Sequence, residues 1–142
     1  MISALNAARE MLGTPYALGA RKVGLGCDCI GLIEHVYQRV RGKTLPMRPP
    51  IIADWHRGLT QEVLITAADK HLARVDKPIL GDVLIFRIKE RLAAQHCAVV
   101  SKIEAGKITQ IIHAHDRKHA ARVVEVPFSG MWAGRLIGIW RV

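Results

Sequence analysis

Residues 96–115 read HCAVVSKIEAGKITQIIHAH, and this stretch decides the fold. Two runs rich in Val and Ile flank Ala105-Gly106, a pair suited to a tight hairpin turn. A turn there sets Glu104 opposite Lys107, an opposite-charge pair. Counting outward in that register puts Ala98 opposite His113, and His96 opposite His115. Side chains two apart on a strand share a face, so His96, His113 and His115 point to one side of the sheet. That face carries His96 with a second imidazole beside it, either directly opposite or diagonal.

Working outward, three further runs have strand character: GDVLIFRI (81–88), RVVEVPF (122–128) and LIGIWRV (136–142). The first half of the chain has helical spacing instead. Ile2, Leu5, Ala8 and Leu12 form one stripe, with Gly13 as its stop. Ile30, Ile33, Val36, Tyr37 and Val40 form a second, with Asp28 as N-cap and Gly42 at its end. Residues 61–73 read as a third helix with Val63, Leu64, Ala67 and Leu72 inward. A Gly-rich loop fills 13–26, and a proline-containing surface connection fills 43–60. Helices first and strands after predict an α+β fold: N-terminal helices on a five- to six-stranded antiparallel sheet.

The bulk properties agree with one domain over residues 1–142. Half the residues are hydrophobic and 23% are charged, so a core can be buried. The formal charge of +9 favours polyanionic surroundings. Its Lys and Arg residues are scattered without interleaved aromatics, which argues against a specific nucleic-acid partner. No apolar run is long enough to span a membrane. The start, MISALNAAREMLG, reads as an amphipathic helix rather than a signal peptide. Three cysteines, an odd number, do not suit a disulfide framework.

Cys29 follows the N-cap candidate directly. A thiolate there meets the positive end of a helix dipole and unpaired backbone N–H groups, both of which favour the anion. Cys29 with a histidine held by another polar group is the pattern of an activated nucleophile. Cys27 reads as a passive neighbour. Asp82 reads as the end of a turn, and Trp55, Trp132 and Trp140 as packing or cleft wall. Cys97, next to His96, should face away from the site by strand alternation. His35, His56 and His71 carry no partner signal. A zinc site is disfavoured, because Cys27-x-Cys29 is not the usual paired knuckle.

The segments GTPYALG, GLGCDCIGLI, GDVLIFR, QHCAVV and IIHAHD, in this order, together resemble the NlpC family of bacterial and phage cell-wall peptidases, which are papain-like. The resemblance extends to a phage-tail subgroup through ADWH and the closing VVEVPFSGMWAGRLIGIWRV, and covers nearly the whole chain. It implies that Cys29 is the nucleophile, His96 the base and then the acid, and His113 the residue orienting that imidazole. It also implies Tyr16 as a cleft tyrosine near the oxyanion, with Asp28 as a secondary substrate-side residue. The implied activity is cysteine-peptidase hydrolysis of peptidoglycan stem peptides, with no metal or cofactor. Implied partners are those peptides and phage-tail hub or tail-tip proteins. The implied location is a virion or phage-like tail, built in the host cytoplasm and acting on the cell wall. Where the family often has Ser, this chain has Ile30, which favours uncut, cross-linked wall over a free N-terminal amine. The alternative is a structural tail-tip protein with a closed or inactive site.

Overall fold

The computed structural model describes residues 2–47, 62–116 and 121–142. Most of the proline-containing connection, with ADWH and its Trp55 and His56, lies outside the described residues. The first helix, α1 (Ala4–Glu10), starts at Ser3, whose side chain accepts the Asn6 N–H at 3.1 Å. Its inward face is Leu5, Ala7, Ala8 and Met11. Leu12, expected inward, is 40% exposed, because the helix ends at Glu10 and the stripe stops with it. The Gly-rich loop is not featureless: β1 (Arg21–Lys22) and β2 (Gly26–Cys27) form a small antiparallel hairpin within it.

The second helix, α2 (Cys29–Arg41), matches its sequence reading at both ends. Asp28 caps it, and Gly42 closes it in the left-handed region at φ +68°, where glycine is least strained. Ile30, Leu32, Ile33 and Val36 are buried. The third helix, α3 (Val63–His71), buries Leu64 and Ala68, while Ala67 is only partly covered. It stops two residues early, because Ala73–Val75 becomes an edge strand, β3, paired with the C-terminal strand.

All five anticipated strands form: β4 (Val83–Phe86), β5 (His96–Glu104), β6 (Lys107–His115), β7 (Arg122–Pro127) and β8 (Leu136–Arg141). With β3 they make a six-stranded antiparallel sheet in the order β3-β8-β4-β5-β6-β7. A short helix, α4 (Gly130–Ala133), precedes β8. The β5–β6 turn sits where the sequence put it, with Glu104 opposite Lys107. Ala105 and Gly106 both have positive φ, at 51° and 77°, as a primed hairpin turn requires. The register slips at Lys102 and is restored at Ile103, so Val99 still faces Ile112 as the outward count requires. Asp82 closes the turn before β4 by accepting the Ile79 N–H at 2.8 Å, and also pairs with Arg141.

Each sheet face has its own apolar layer. Val83, Ile85, Cys97, Val99 and Ile112 pack with the helices. Leu84, Phe86, Ala98, Val100 and Ile111 form a second cluster with Phe128, Trp132 and Leu136. Alternation puts His96, His113 and His115 on this second side. His96 opens its strand, so the start of α2 can reach it at the sheet's end.

Candidate active site

Asp28 organises the entry to α2. Its Oδ1 accepts the Gly31 N–H at 2.7 Å and its Oδ2 accepts the Gly19 N–H at 2.6 Å. It is 2% exposed, so these are buried, charge-assisted bonds. The Ala20 carbonyl also accepts the Asp28 N–H at 3.1 Å, bringing the loop backbone against the helix. A Cβ at Gly31 would lie 2.0 Å from the Ala20 oxygen, which explains glycine two residues after Cys29. Cys29 thus stands at the head of a 13-residue helix, on a turn clamped by a carboxylate and by close backbone contact.

His96 Nε2 lies 2.9 Å from His113 Nδ1, with the two rings nearly perpendicular. Trp132 covers His96 in a stacked arrangement, with centroids 5.4 Å apart and planes 24° apart. It meets His113 edge-on at 5.1 Å. His115 sits beside His113, centroid to centroid 5.4 Å. The second imidazole partnering His96 is therefore His113, of the two that the face offered. Tyr16, Cys29, His96, His113, His115 and Trp132 all line one cavity of about 440 Å³. Asp28 borders it as well, with both carboxylate oxygens taken by backbone N–H groups.

The electrostatics follow from these contacts. A hydrogen bond with the Cys97 thiol does most to hold the Cys29 thiol down, at about 5 against an ordinary 9. Burial opposes this; a hydrogen bond and charge from His96 assist it, and the Asp28 carboxylate works weakly against it. His113 is pushed down to about 3, first by burial and then by the charges of His96 and His115. It therefore stays neutral and presents Nδ1 as an acceptor to a proton on His96 Nε2. His96 is left with Nδ1 for the sulfur.

Cys97 corrects the sequence reading. It does face away from His96, but the helix side is where Cys29 arrives. Its Sγ lies 3.0 Å from the Cys29 carbonyl oxygen. Strand alternation gives its face but not what packs there. Gln95 carries no signal in the sequence, yet it lines the cavity, with its backbone oxygen 3.8 Å from Cys29 Sγ. Trp132, read as packing or cleft wall, is cleft wall on the histidine pair, whereas Trp140 is core and donates to Asp69 at 2.8 Å. His35 does have a partner, Glu10 at 2.9 Å, well down α2 from Cys29. Among the described residues, no three His, Cys, Asp or Glu side chains are grouped to hold a metal ion.

Helices ahead of an antiparallel sheet, with a helix-head thiol beside paired imidazoles, define a class of thiol-containing α+β domains. The NlpC/P60 family model matches residues 13–141, and the chain belongs to that family. The chain is 25% identical over 139 residues to the probable endopeptidase YafL of Escherichia coli K12, covering 98% of this chain and 49% of that protein. Among solved structures, an NLP/P60 protein similar to lipoprotein from Staphylococcus aureus superposes with a TM-score of 0.64 at 21% identity. That match covers 98% of this chain and 40% of the other. The NlpC/p60 domain of the peptidoglycan hydrolase SagA gives a TM-score of 0.60 at 18% identity, over 99% and 97% of the two chains. The chain thus spans about half the length of the curated relative, but nearly all of the isolated SagA domain.

Proposed function

We propose that this domain is a cysteine peptidase that hydrolyses peptide bonds in peptidoglycan stem peptides, with Cys29, His96 and His113 as its catalytic set. The observation that carries this is the convergence of a depressed helix-head thiol and a paired imidazole on one cavity. Two relatives carry names that agree with it, a probable endopeptidase and a peptidoglycan hydrolase.

The reaction is acyl transfer. The Cys29 thiol gives its proton to His96 Nδ1; the thiolate attacks the substrate carbonyl carbon, and the carbonyl electron pair moves onto oxygen. The Cys29 backbone N–H, which as a first-turn group has no partner within the helix, is the donor proposed to stabilise that oxyanion. Tyr16 borders the same space. Collapse of the intermediate breaks the C–N bond, and the leaving amine takes a proton from His96. A water, deprotonated by His96, then attacks the thioester and releases the acid and Cys29. His113, held neutral, fixes the His96 ring through Nδ1 and leaves its other nitrogen to the sulfur and substrate. Asp28 supports the first turn from the rim of the cleft.

The finer assignment, to a phage or phage-like tail tip presented to the wall of the next cell, rests on the resemblance of ADWH and the closing segment. Labelling the protein on intact particles tests that location. The activity is tested by digesting purified muropeptides with the wild type and Cys29→Ala, products read by mass. Loss of all new products in Cys29→Ala supports the proposal; equal cleavage by both proteins overturns it.

A further inference from the structure

The catalytic set leaves the Cys97 thiol, a polar group against the nucleophile, unused. Cys97 is fully buried on the helix side of β5, one residue past His96. Its Sγ sits 3.0 Å from the Cys29 carbonyl oxygen, so a strand thiol clasps the first turn of α2. We propose that Cys97 is a positioning residue: its S–H anchors the backbone of Cys29 and faces the nucleophilic sulfur from the side opposite His96. The inference rests on the reading of Cys29 as nucleophile.

Burial first, and then the neighbouring Cys29, push the Cys97 thiol well above its ordinary range, so it keeps its proton. A protonated thiol is a donor. Cys29 offers it two acceptors, the carbonyl oxygen at 3.0 Å and the sulfur. While Cys29 is a neutral thiol, the carbonyl is the better acceptor. Once Cys29 ionises, the sulfur becomes a charged acceptor, and charge-assisted bonds are the stronger kind. The thiolate is then gripped by imidazole on one side and thiol on the other. A cysteine suits the position because it packs as a small hydrophobe while retaining a weak donor. An alkyl side chain would fill the space and lose the donor.

The other titratable groups around this pair of thiols are Tyr16, Asp28, His96, His113 and His115, which line the cavity with Cys29, and Cys27, whose charge acts on Cys97. Of these, His96 favours the thiolate and Asp28 opposes it. Substitutions at 97 leave all six in place, so a change in the ionisation of Cys29 can be referred to the donor.

The test is the pH profile of Cys29 alkylation by a haloacetamide, with the modified peptide mapped by mass. Wild type is compared with Cys97→Val, Cys97→Ala and Cys97→Ser, all checked by thermal melting. The expected result is a midpoint raised by about one pH unit or more in the Val and Ala variants, a tenfold loss of thiolate at pH values below it. Ser, which restores a donor of similar size, should recover at least half of the shift. Should the Ala variant fail to fold, the Val and Ser pair decides alone. A wild-type midpoint kept in the donorless variants, or a Ser variant shifted as far as Val, overturns the inference and leaves the peptidase reading standing. A wild-type Cys29 that titrates like an ordinary thiol overturns both.

Discussion

Asp28→Asn should lower the stability of the domain while making the Cys29 thiol easier to ionise. The carboxylate is 2% exposed and accepts two backbone N–H groups, from Gly31 at 2.7 Å and Gly19 at 2.6 Å. An amide can accept only one, and it turns an N–H donor toward the other. Losing a buried charge-assisted bond costs about 1.5–3 kcal/mol, and reducing its partner to a neutral bond costs roughly 1 more. The sum is about 2.5–4 kcal/mol. For a chain of 142 residues, at roughly 3–4 °C per kcal/mol, the melting temperature should fall by about 8–15 °C. The same substitution removes the negative charge that opposes the Cys29 thiolate. The alkylation midpoint of Cys29 should therefore move below that of the wild type. Calorimetry and a haloacetamide pH profile on one preparation read both effects. A melt within about 2 °C of wild type would refute the cap energetics. A midpoint that rises would refute the electrostatic reading of Asp28.

Three other outcomes are expected. His113 falls to about 3 in the folded protein against an ordinary 6.5, so the unfolded chain binds its proton more readily between those values. Its contribution to stability is complete above pH 6.5 and is lost as pH falls toward 3; a His113→Asn variant should show a shallower fall in melting temperature over that window. Trp132→Ala removes the ring stacked on His96, and should cut kcat/KM on muropeptides by roughly 3- to 30-fold, the range expected when a cation–π interaction is removed from a partly desolvated site. Unchanged kcat/KM would make Trp132 mere covering. Ala105→Asn should raise the melting temperature by about 2–4 °C, since Ala105 holds φ +51° in a turn that favours Asn before Gly.

Much of this architecture is legible locally. The β5–β6 hairpin follows from a turn pair and an opposite-charge closure, and its register survives because one slip is undone by the next residue. Asp28 and Gly42 mark α2 because capping is a contact within a few residues. The pairing of His96 with His113 is reachable from sequence only as one of two possibilities, since a strand count gives a shared face and not a diagonal. What the chain does not disclose is long-range. The pairing of β3 with β8 depends on residues more than sixty positions apart. Strand alternation puts Cys97 on the correct face but leaves it idle, because nothing near it in sequence says that α2 docks there with Cys29 at its head. The stacking of Trp132 on His96 likewise needs the short helix before β8 to fold over the sheet.

The most direct measurement is active-site titration with an electrophilic peptide probe at pH 6, with muropeptide cleavage followed on the same samples. One equivalent of probe should attach to Cys29 alone, and cleavage should fall in proportion to the labelled fraction, reaching zero at full occupancy. Cleavage persisting in fully labelled protein, or label carried by Cys27 or Cys97 instead, would contradict the account.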